Sequence, residues 1–270
     1  CYKPQLPRFF IDIFTKENDV VYDPFAGRGT TLIEAGLMGR NIVSNDVNPL
    51  SKILTIPRLD IPSINQIEQR LDEIVFEKVE ADIDLSMFFH KDTELEIVSL
   101  KNQLTDSAVD NWIRMVATNR LTGHSSGFFS GYTLPPNQAA SQKSQKTINK
   151  RLDIVPPYKN TKEIILKKTR SLLRNINPEI IEKLKIIGSS AVFSSLDSRK
   201  TYHIHDSSVN LTVTSPPFLN IVRYANDNWL RCWFNNINVS EVESKISLCR
   251  NVESWSELMQ GVFNELYRIT

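Results

Sequence analysis

The chain predicts an α/β fold built on a parallel sheet, and three stretches carry that expectation. Val20-Val21-Tyr22 is a short β-branched strand that runs through Gly27 and Gly29 into a helix at Leu32-Ile33-Glu34-Ala35, with Thr30 or Thr31 as its cap. Ile42 to Asp46 is a second apolar strand, and the helix between the two makes a βαβ unit. Leu211 to Thr214 is a third, stopped by Pro216-Pro217, neither of which can donate to a ladder or enter a helix interior.

In chain order, Leu6, Phe9, Phe10, Ile13 and Phe14 have the spacing of an amphipathic helix leading into the first strand. The helix from Leu32 to Met38 ends at Gly39, a suitable C-terminal cap. Asn48-Pro49 opens the segment Leu50 to Thr55, expected to pack under a ligand pocket and stop before Pro57. From Ser63 to about Asp106 the apolar residues return at helical spacing, as in Ile64, Ile67, Leu71, Ile74 and Val75, which predicts a helical insertion with Glu68, Asp72, Glu73 and Glu77 on a solvated face.

Ala108 to Leu134 interleaves Trp112, Arg114, Arg120, His124, Phe128, Phe129 and Tyr132 with Gly123, Gly127 and Gly131, so irregular backbone is expected. Such a loop could stack on an unpaired base or fold onto the core by its own phenylalanines; both readings stand. Pro135-Pro136 and Ser141 to Lys150 read as a polar connector to a basic helix, Glu163 to Leu173. Glu179 to Ile187 is then a helix, Ala191 to Leu196 a strand, and Asp206 to Ser208 a turn before the strand that enters the proline corner. Trp229, Trp233 and Phe234 fall at helical spacing, and a last helix runs from Trp255 to Arg268.

The glycine turn reads as a nucleotide-type site, and its details narrow the ligand. A phosphate-cradling loop needs Gly-Lys-Ser/Thr, and no lysine follows Gly27 or Gly29. A dinucleotide fingerprint needs a third glycine where the chain has Leu32. Asp46, 19 residues after Gly27, ends the second strand where a carboxylate could accept both hydroxyls of a ribose. A nucleoside without a pyrophosphate fits best. A strand, a glycine turn and a later acid also occur in α/β domains that hold no ligand. The rigid corner at Thr214-Ser215-Pro216-Pro217-Phe218, at the carboxyl end of a strand, argues for a site.

Together the two stretches resemble the DNA amino-methyltransferases, which move a methyl group from S-adenosylmethionine to N4 of cytosine or N6 of adenine. The family's glycine motif is similar to Asp23 to Thr30, and its catalytic tetrapeptide to Ser215-Pro216-Pro217-Phe218. Serine in first place is more typical of the cytosine-N4 branch, aspartate or asparagine of the adenine branch. Tyr2-Lys3-Pro4 resembles the N-terminal cofactor motif, and Asp197 stands where the family often has an acid near the adenine ring.

The resemblance implies a Rossmann-like methyltransferase sheet and S-adenosylmethionine as cofactor, held by Lys3, Pro4, Asp23, Phe25, Ala26, Gly27, Gly29, Thr30, Asp46 and Asp197. Ser215, Pro216, Pro217 and Phe218 would form the catalytic corner. Residues 1–60 would be the cofactor half of the core, 61–185 an inserted target-recognition region, and 186–270 the catalytic half, an order resembling the family's alpha group. Only four strands can be found where the family has seven, so the C-terminal strands are expected to be missing from this chain.

Composition sets the outer bounds. At 270 residues, 41% hydrophobic and 23% charged, the chain can bury one large core or two modest ones. No apolar run reaches the roughly 18 residues of a membrane span and no leader opens the chain, so a cytoplasmic address is expected, and the family resemblance implies a prokaryotic cell. Cys1, Cys232 and Cys249 suggest neither a disulfide framework nor a zinc site, and no metal is expected. No Pro-Cys dipeptide is present to supply the thiolate that methylation of a cytosine ring carbon needs, which disfavours carbon-5 chemistry. Net charge is only +1, yet Ser141 to Arg174 holds ten basic residues against Asp153 and Glu163. The implied partners are double-stranded DNA, contacted by Arg114, Arg120, Lys167, Lys168 and Arg170, and a cognate restriction endonuclease.

Overall fold

Val20–Asp23 forms β1, whose residues beyond Val20 are all buried, as expected of a strand covered on both faces. In the computed structural model, which describes residues 2–133, 139–217, 227–246, 249 and 251–270, β1 pairs in parallel with β2 (Asn41–Asn45), Val20 opposite Asn41. β2 pairs with β3 (Val192–Ser194), and β1 with β4 (Leu211–Thr212), giving a parallel sheet of order β3-β2-β1-β4. The last two strands are shorter than their apolar runs predict.

Two compact units divide the chain. The first comprises residues 1–61, 176–223 and 240–270 and holds the sheet. Helix α1 (Gln5–Phe14) packs on α2 (Thr30–Leu37), and α2 packs on β1, β2 and α9 (Pro178–Ser190). Gly36 permits that approach: a Cβ there would lie 3.1 Å from Leu184 and 3.3 Å from Ile42. Residues 178–185, expected in the inserted region, therefore belong to the sheet unit. Short helix α3 (Leu50–Thr55) leads into a 3₁₀ turn at Ile56–Arg58. The helix expected from the 6–14 spacing is present as α1. It lies on α2; Pro7 and Ile11 are its buried residues, while Phe9 is 58% and Phe14 62% exposed.

The other end of this unit is closed by α12 (Val252–Ile269), beyond the short α11 (Val239–Lys245). Ile269 joins Tyr22, Ile204 and Val209 in one buried cluster. The 204–209 turn is tied to α12 by main-chain bonds from Ser208 and Val209 to the Ile269 carbonyl at 2.8 and 2.9 Å. Arg268 donates to both Glu265 oxygens and to the Ile204 carbonyl, while Glu265 accepts from the Thr201 N–H and hydroxyl, each at 2.7 Å.

The second unit, residues 62–175 and 224–239, is helical among its described residues. A Ser63/Gln66 capping box starts α4 (Ile64–Glu73), and α5 (Lys91–Gln103) follows. Residues 108–118, read as irregular, form α6 (Ala108–Thr118), with Ser107 accepting from the Asp110 N–H; the glycines begin only afterwards. The expected polar connector is likewise a helix, α7 (Gln142–Leu152), capped by Ser141. Its sequence from Ala139 to Leu152 holds no Gly or Pro, so polarity marks a solvated face and not a loop.

Helix α8 (Thr161–Leu173) packs on α4, α5 and α6, and α10 (Trp229–Phe234) completes the unit's described helices. Buried polar pairs fix this packing: Arg70 to Asp110 at 2.8 Å, Trp112 Nε1 to Thr169 at 3.1 Å, and Glu96 accepting from Tyr158, the Thr161 N–H and the Thr161 hydroxyl, each at 2.7 Å. Among the described residues, no helix is long and apolar enough to cross a membrane.

The Arg268 pairing sets a testable acid response. Bonding to Arg268 lowers the Glu265 carboxyl to about 2. A depressed carboxylate contributes stability above its ordinary range and loses it as pH falls toward that value. Arg268→Ala is expected to destabilise by on the order of 2 kcal/mol at pH 7, with the difference from wild type shrinking between pH 5 and about 2 in thermal melts.

Candidate active site

Val21 lies opposite Leu211 and Tyr22 opposite Thr212. Because β1 and β4 run parallel, the segments leaving their carboxyl ends, 24–29 and 213–217, emerge at the same rim of the sheet, the side on which open α/β sheets bind ligands.

The glycine elbow is built as its sequence requires. Gly27 (φ 50°) and Gly29 (φ 72°) are left-handed, and a Cβ on Gly29 would come within 2.6 Å of the Thr55 side chain. Gly29 is the helix cap, without a side-chain bond. Thr30 is the first residue of α2, and the Thr31 hydroxyl, expected as a possible cap, instead donates to the Val213 carbonyl at 3.1 Å. Asp46 accepts from the Gly27 N–H at 2.7 Å and the Asn48 N–H at 2.8 Å. Each of its oxygens keeps acceptor capacity for a ribose hydroxyl, so elbow and acid fit a nucleoside. Ala26, 5% exposed, donates its N–H to the Asn45 carbonyl.

Asp23 behaves differently from the other cofactor candidates. It is 1% exposed, and its oxygens accept from Thr214 at 2.6 Å, the Phe25 N–H at 3.1 Å and the Tyr2 hydroxyl at 3.3 Å. Tyr2 is also hydrogen-bonded to Thr31. Of the N-terminal motif it is therefore Tyr2 that reaches the rim, whereas Lys3 and Pro4 are exposed at the start of α1. Asp197, expected near an adenine ring, is engaged by its neighbour: Arg199 donates to it from the backbone and from the guanidinium at 2.5–3.1 Å, holding the carboxyl below its usual range.

Ser215 and Pro216 are half-buried and Pro217 exposed, while Phe218 lies outside the described residues. The Pro217 carbonyl accepts from the Trp255 indole at 2.9 Å. Sequence reasoning missed this anchor, as it missed Asn45. That fully buried amide accepts from Ser194 and the Leu196 N–H and donates to the Leu196 carbonyl and Ser198, joining β2 to the loop after β3. No local pattern marks either residue, since their partners are distant in the chain.

The DNA-contact candidates separate in the helical unit. Arg114 is drawn inward, donating to Asn111 at 2.6 Å and the Leu104 carbonyl at 3.0 Å. Arg120 lies over the Phe128 ring, 4.1 Å from its centroid. Lys168 is half-buried, and burial, with Arg120 nearby, lowers its pKa. Lys167 and Arg170 are exposed and, with Arg174, Glu163, Leu166 and Ser171, line a cavity of about 490 Å³; Arg170 also pairs with Glu68 at 2.5 Å.

Burial, only partly offset by its hydrogen bonds, raises Asp23 to about 6, and burial raises Asp46 too. A buried acid with a raised pKa takes up its proton more readily folded than unfolded, so its unfavourable contribution is full above about 6 and fades as pH falls. Asp23→Asn is expected to gain on the order of 2 kcal/mol over wild type at pH 8 and to lose most of that advantage by pH 4.5, in urea unfolding at the two pH values.

Residues 1–53 match the N6/N4 methyltransferase family, described as DNA methylase. The chain is similar to a tRNA (guanine(10)-N2)-dimethyltransferase of Methanocaldococcus jannaschii, 34% identical over 97 residues covering 30% of this chain and 27% of that protein. It is similar also to the type II methyltransferase M.MjaII of the same organism, 31% over 68 residues (25% and 13% of the two chains). A third relative is the type II methyltransferase M.HindIII of Haemophilus influenzae, 38% over 60 residues (22% and 19%). The matched stretch thus spans 13–27% of the length of these relatives. No solved structure matches. The family match contains α1, β1, the glycine elbow, α2, β2 and Asp46 on an α/β frame, so it is this N-terminal segment that is similar to the N6/N4 DNA methylases.

Proposed function

We propose that this chain is a site-specific DNA methyltransferase acting on the exocyclic N4 amine of a cytosine flipped out of double-stranded DNA, as the modification partner of a restriction endonuclease. The observation that carries the reading is the β1–β4 pairing, which brings the glycine elbow and the Ser-Pro-Pro corner to one rim. S-adenosylmethionine, when bound, supplies a methyl group on a sulfonium sulfur. The elbow at Gly27 and Gly29 and the Asp46 carboxylate would hold it.

An exocyclic cytosine amine is a poor nucleophile because its lone pair is delocalised into the ring. The Ser215 hydroxyl and a proline carbonyl are the acceptors assigned to its two N–H bonds, localising that pair as the nitrogen becomes tetrahedral. Since the Pro217 carbonyl already accepts from Trp255, the acceptor assigned is the carbonyl of Pro216. Phe218 would stack on the flipped ring. Extrusion of the base needs about a few kcal/mol, which stacking and pocket contacts offset. Lys167, Arg170 and Arg174 form the cationic face assigned to DNA phosphates.

A second reading, methylation of a guanine amine in RNA, is favoured by the match to the tRNA dimethyltransferase, which runs over 97 residues where the type II enzymes match 68 and 60. N6 of adenine is the further alternative on DNA. Incubation with duplex DNA and with tRNA, followed by mass spectrometry of the nucleosides, is expected to give N4-methylcytosine; N6-methyladenine or N2-methylguanine alone would replace the proposal.

Within that reading, Ser215→Ala is expected to slow single-turnover methylation by about 100-fold with cofactor affinity nearly intact, while Gly27→Val abolishes cofactor binding. Parallel loss of both properties in each variant would undo this division of roles. Lys167→Glu with Arg174→Glu is expected to weaken duplex binding and to lower the slope of log affinity against log salt by about 2; an unchanged slope would remove α8 from the DNA interface.

A further inference from the structure

The polar network beneath the rim has a composition that ligand binding does not explain. Asp23 was carried over as a cofactor contact, yet it is 1% exposed and its oxygens already accept from Tyr2, the Phe25 N–H and Thr214. Its bonds run to both halves of the site. Phe25 belongs to the glycine elbow, and Thr214 is the residue before Ser215. Thr31, on the helix that the elbow starts, adds a second bond across the same gap by donating to the Val213 carbonyl. Tyr2 lies between Thr31 and Asp23, with one proton to give to either. The Val213 N–H donates to the Tyr22 carbonyl at 3.1 Å, so the backbone leading to Ser215 is held on its N–H, its carbonyl and its next side chain.

We propose that Asp23 and Thr214 are positioning residues that fix the register of Ser215 against the glycine elbow, and that Asp23 serves by joining the two loops and not by touching the cofactor. The inference rests on the methyl-transfer reading above and deepens it. Two features of the geometry favour it. The Thr214 bond is short at 2.6 Å and aimed at the same Asp23 oxygen that accepts from Phe25, so one carboxylate oxygen sets the distance between the loops. The strand itself supplies little restraint here, because β4 is only two residues long and ends at Thr212. Side-chain bonds must therefore do beyond the Val213 N–H what a longer ladder would otherwise do. In-line methyl transfer is sensitive to such register, since a misplacement of about 1 Å can lower a rate about 100-fold.

The test compares Thr214→Val, which keeps shape and removes the hydroxyl, with Thr214→Ser, which restores it. Single-turnover methylation of duplex DNA and calorimetric binding of S-adenosylmethionine are measured for each. Thr214→Val is expected to lose about 10- to 100-fold in rate with cofactor affinity within about twofold, and Thr214→Ser to recover most of the rate. Wild-type rate in Thr214→Val would overturn the proposal. So would loss of cofactor affinity in step with rate in both variants, which would mark a general structural role.

If the wild-type chain transfers no methyl group to DNA, the methyl-transfer reading fails by itself. The latch is then judged by NMR titration of the Asp23 carboxyl carbon, whose midpoint is expected to rise in Thr214→Val and recover in Thr214→Ser. The titratable groups around it, Tyr2, Tyr22 and Asp46, are left in place by these substitutions. An unmoved midpoint would overturn the latch in that case.

Discussion

The hydrogen bond between Thr214 and Asp23 joins residues 191 positions apart, and with the β1–β4 ladder it holds together the two halves on which the proposed site depends. In the proposed reaction neither the glycine elbow nor the proline corner would bind and react alone; each would supply half of the groups. The ladder brings their strands together for only two residue pairs. The Thr31 and Thr214 bonds then carry the register past the end of the sheet. Because Asp23 is buried, these bonds act in a medium of low dielectric, where a satisfied network is stiff and a broken one is expensive. The raised pKa of Asp23 shows the same cost from the other side: the fold tolerates a poorly solvated carboxyl for the sake of its hydrogen bonds.

The helical unit applies the same device on a different frame. Its helices are polar over much of their surface, and a few buried polar contacts select how they stack. Glu96, 5% exposed, receives the first N–H of α8 and the Tyr158 hydroxyl. Arg70 reaches from α4 to Asp110 on α6 and to the Gln103 carbonyl at the end of α5. An unpaired carboxylate at either place would be costly, which leaves alternative packings unfavourable. The same demand explains why several basic residues are unavailable to an outside polyanion. Arg114 is committed to holding the Leu104 carbonyl and Asn111, while the exposed faces of Lys167 and Arg170 remain on the surface of α8.

Much of the site was legible from local pattern. Gly27 and Gly29 announce positive φ because only glycine adopts it without strain, and both have it. Asp46 announces a carboxylate at a strand end, and it lies there, bound to the elbow's own N–H. The misreadings have local causes as well. Residues 142–152 looked like a connector because they are polar, although they lack the Gly and Pro that break helices. Spacing also gave no sign that the carboxylates of Asp23 and Asp197, both at motif positions, accept from Thr214 and Arg199.

By itself, the sequence determined the elements and the chemistry they can carry: the βαβ unit, the left-handed glycines, the acid at the second strand end and the proline-stiffened corner. These depend on backbone sterics and on residues a few positions apart. Tertiary structure alone decided that Asp46 accepts from the elbow's N–H while Asp23 is sealed in by Tyr2, Phe25 and Thr214, that Tyr2 and not Lys3 reaches Asp23, and that Trp255 holds the Pro217 carbonyl. Each of those outcomes depends on burial and on partners brought together by strand order, and no spacing along the chain encodes the order β3-β2-β1-β4.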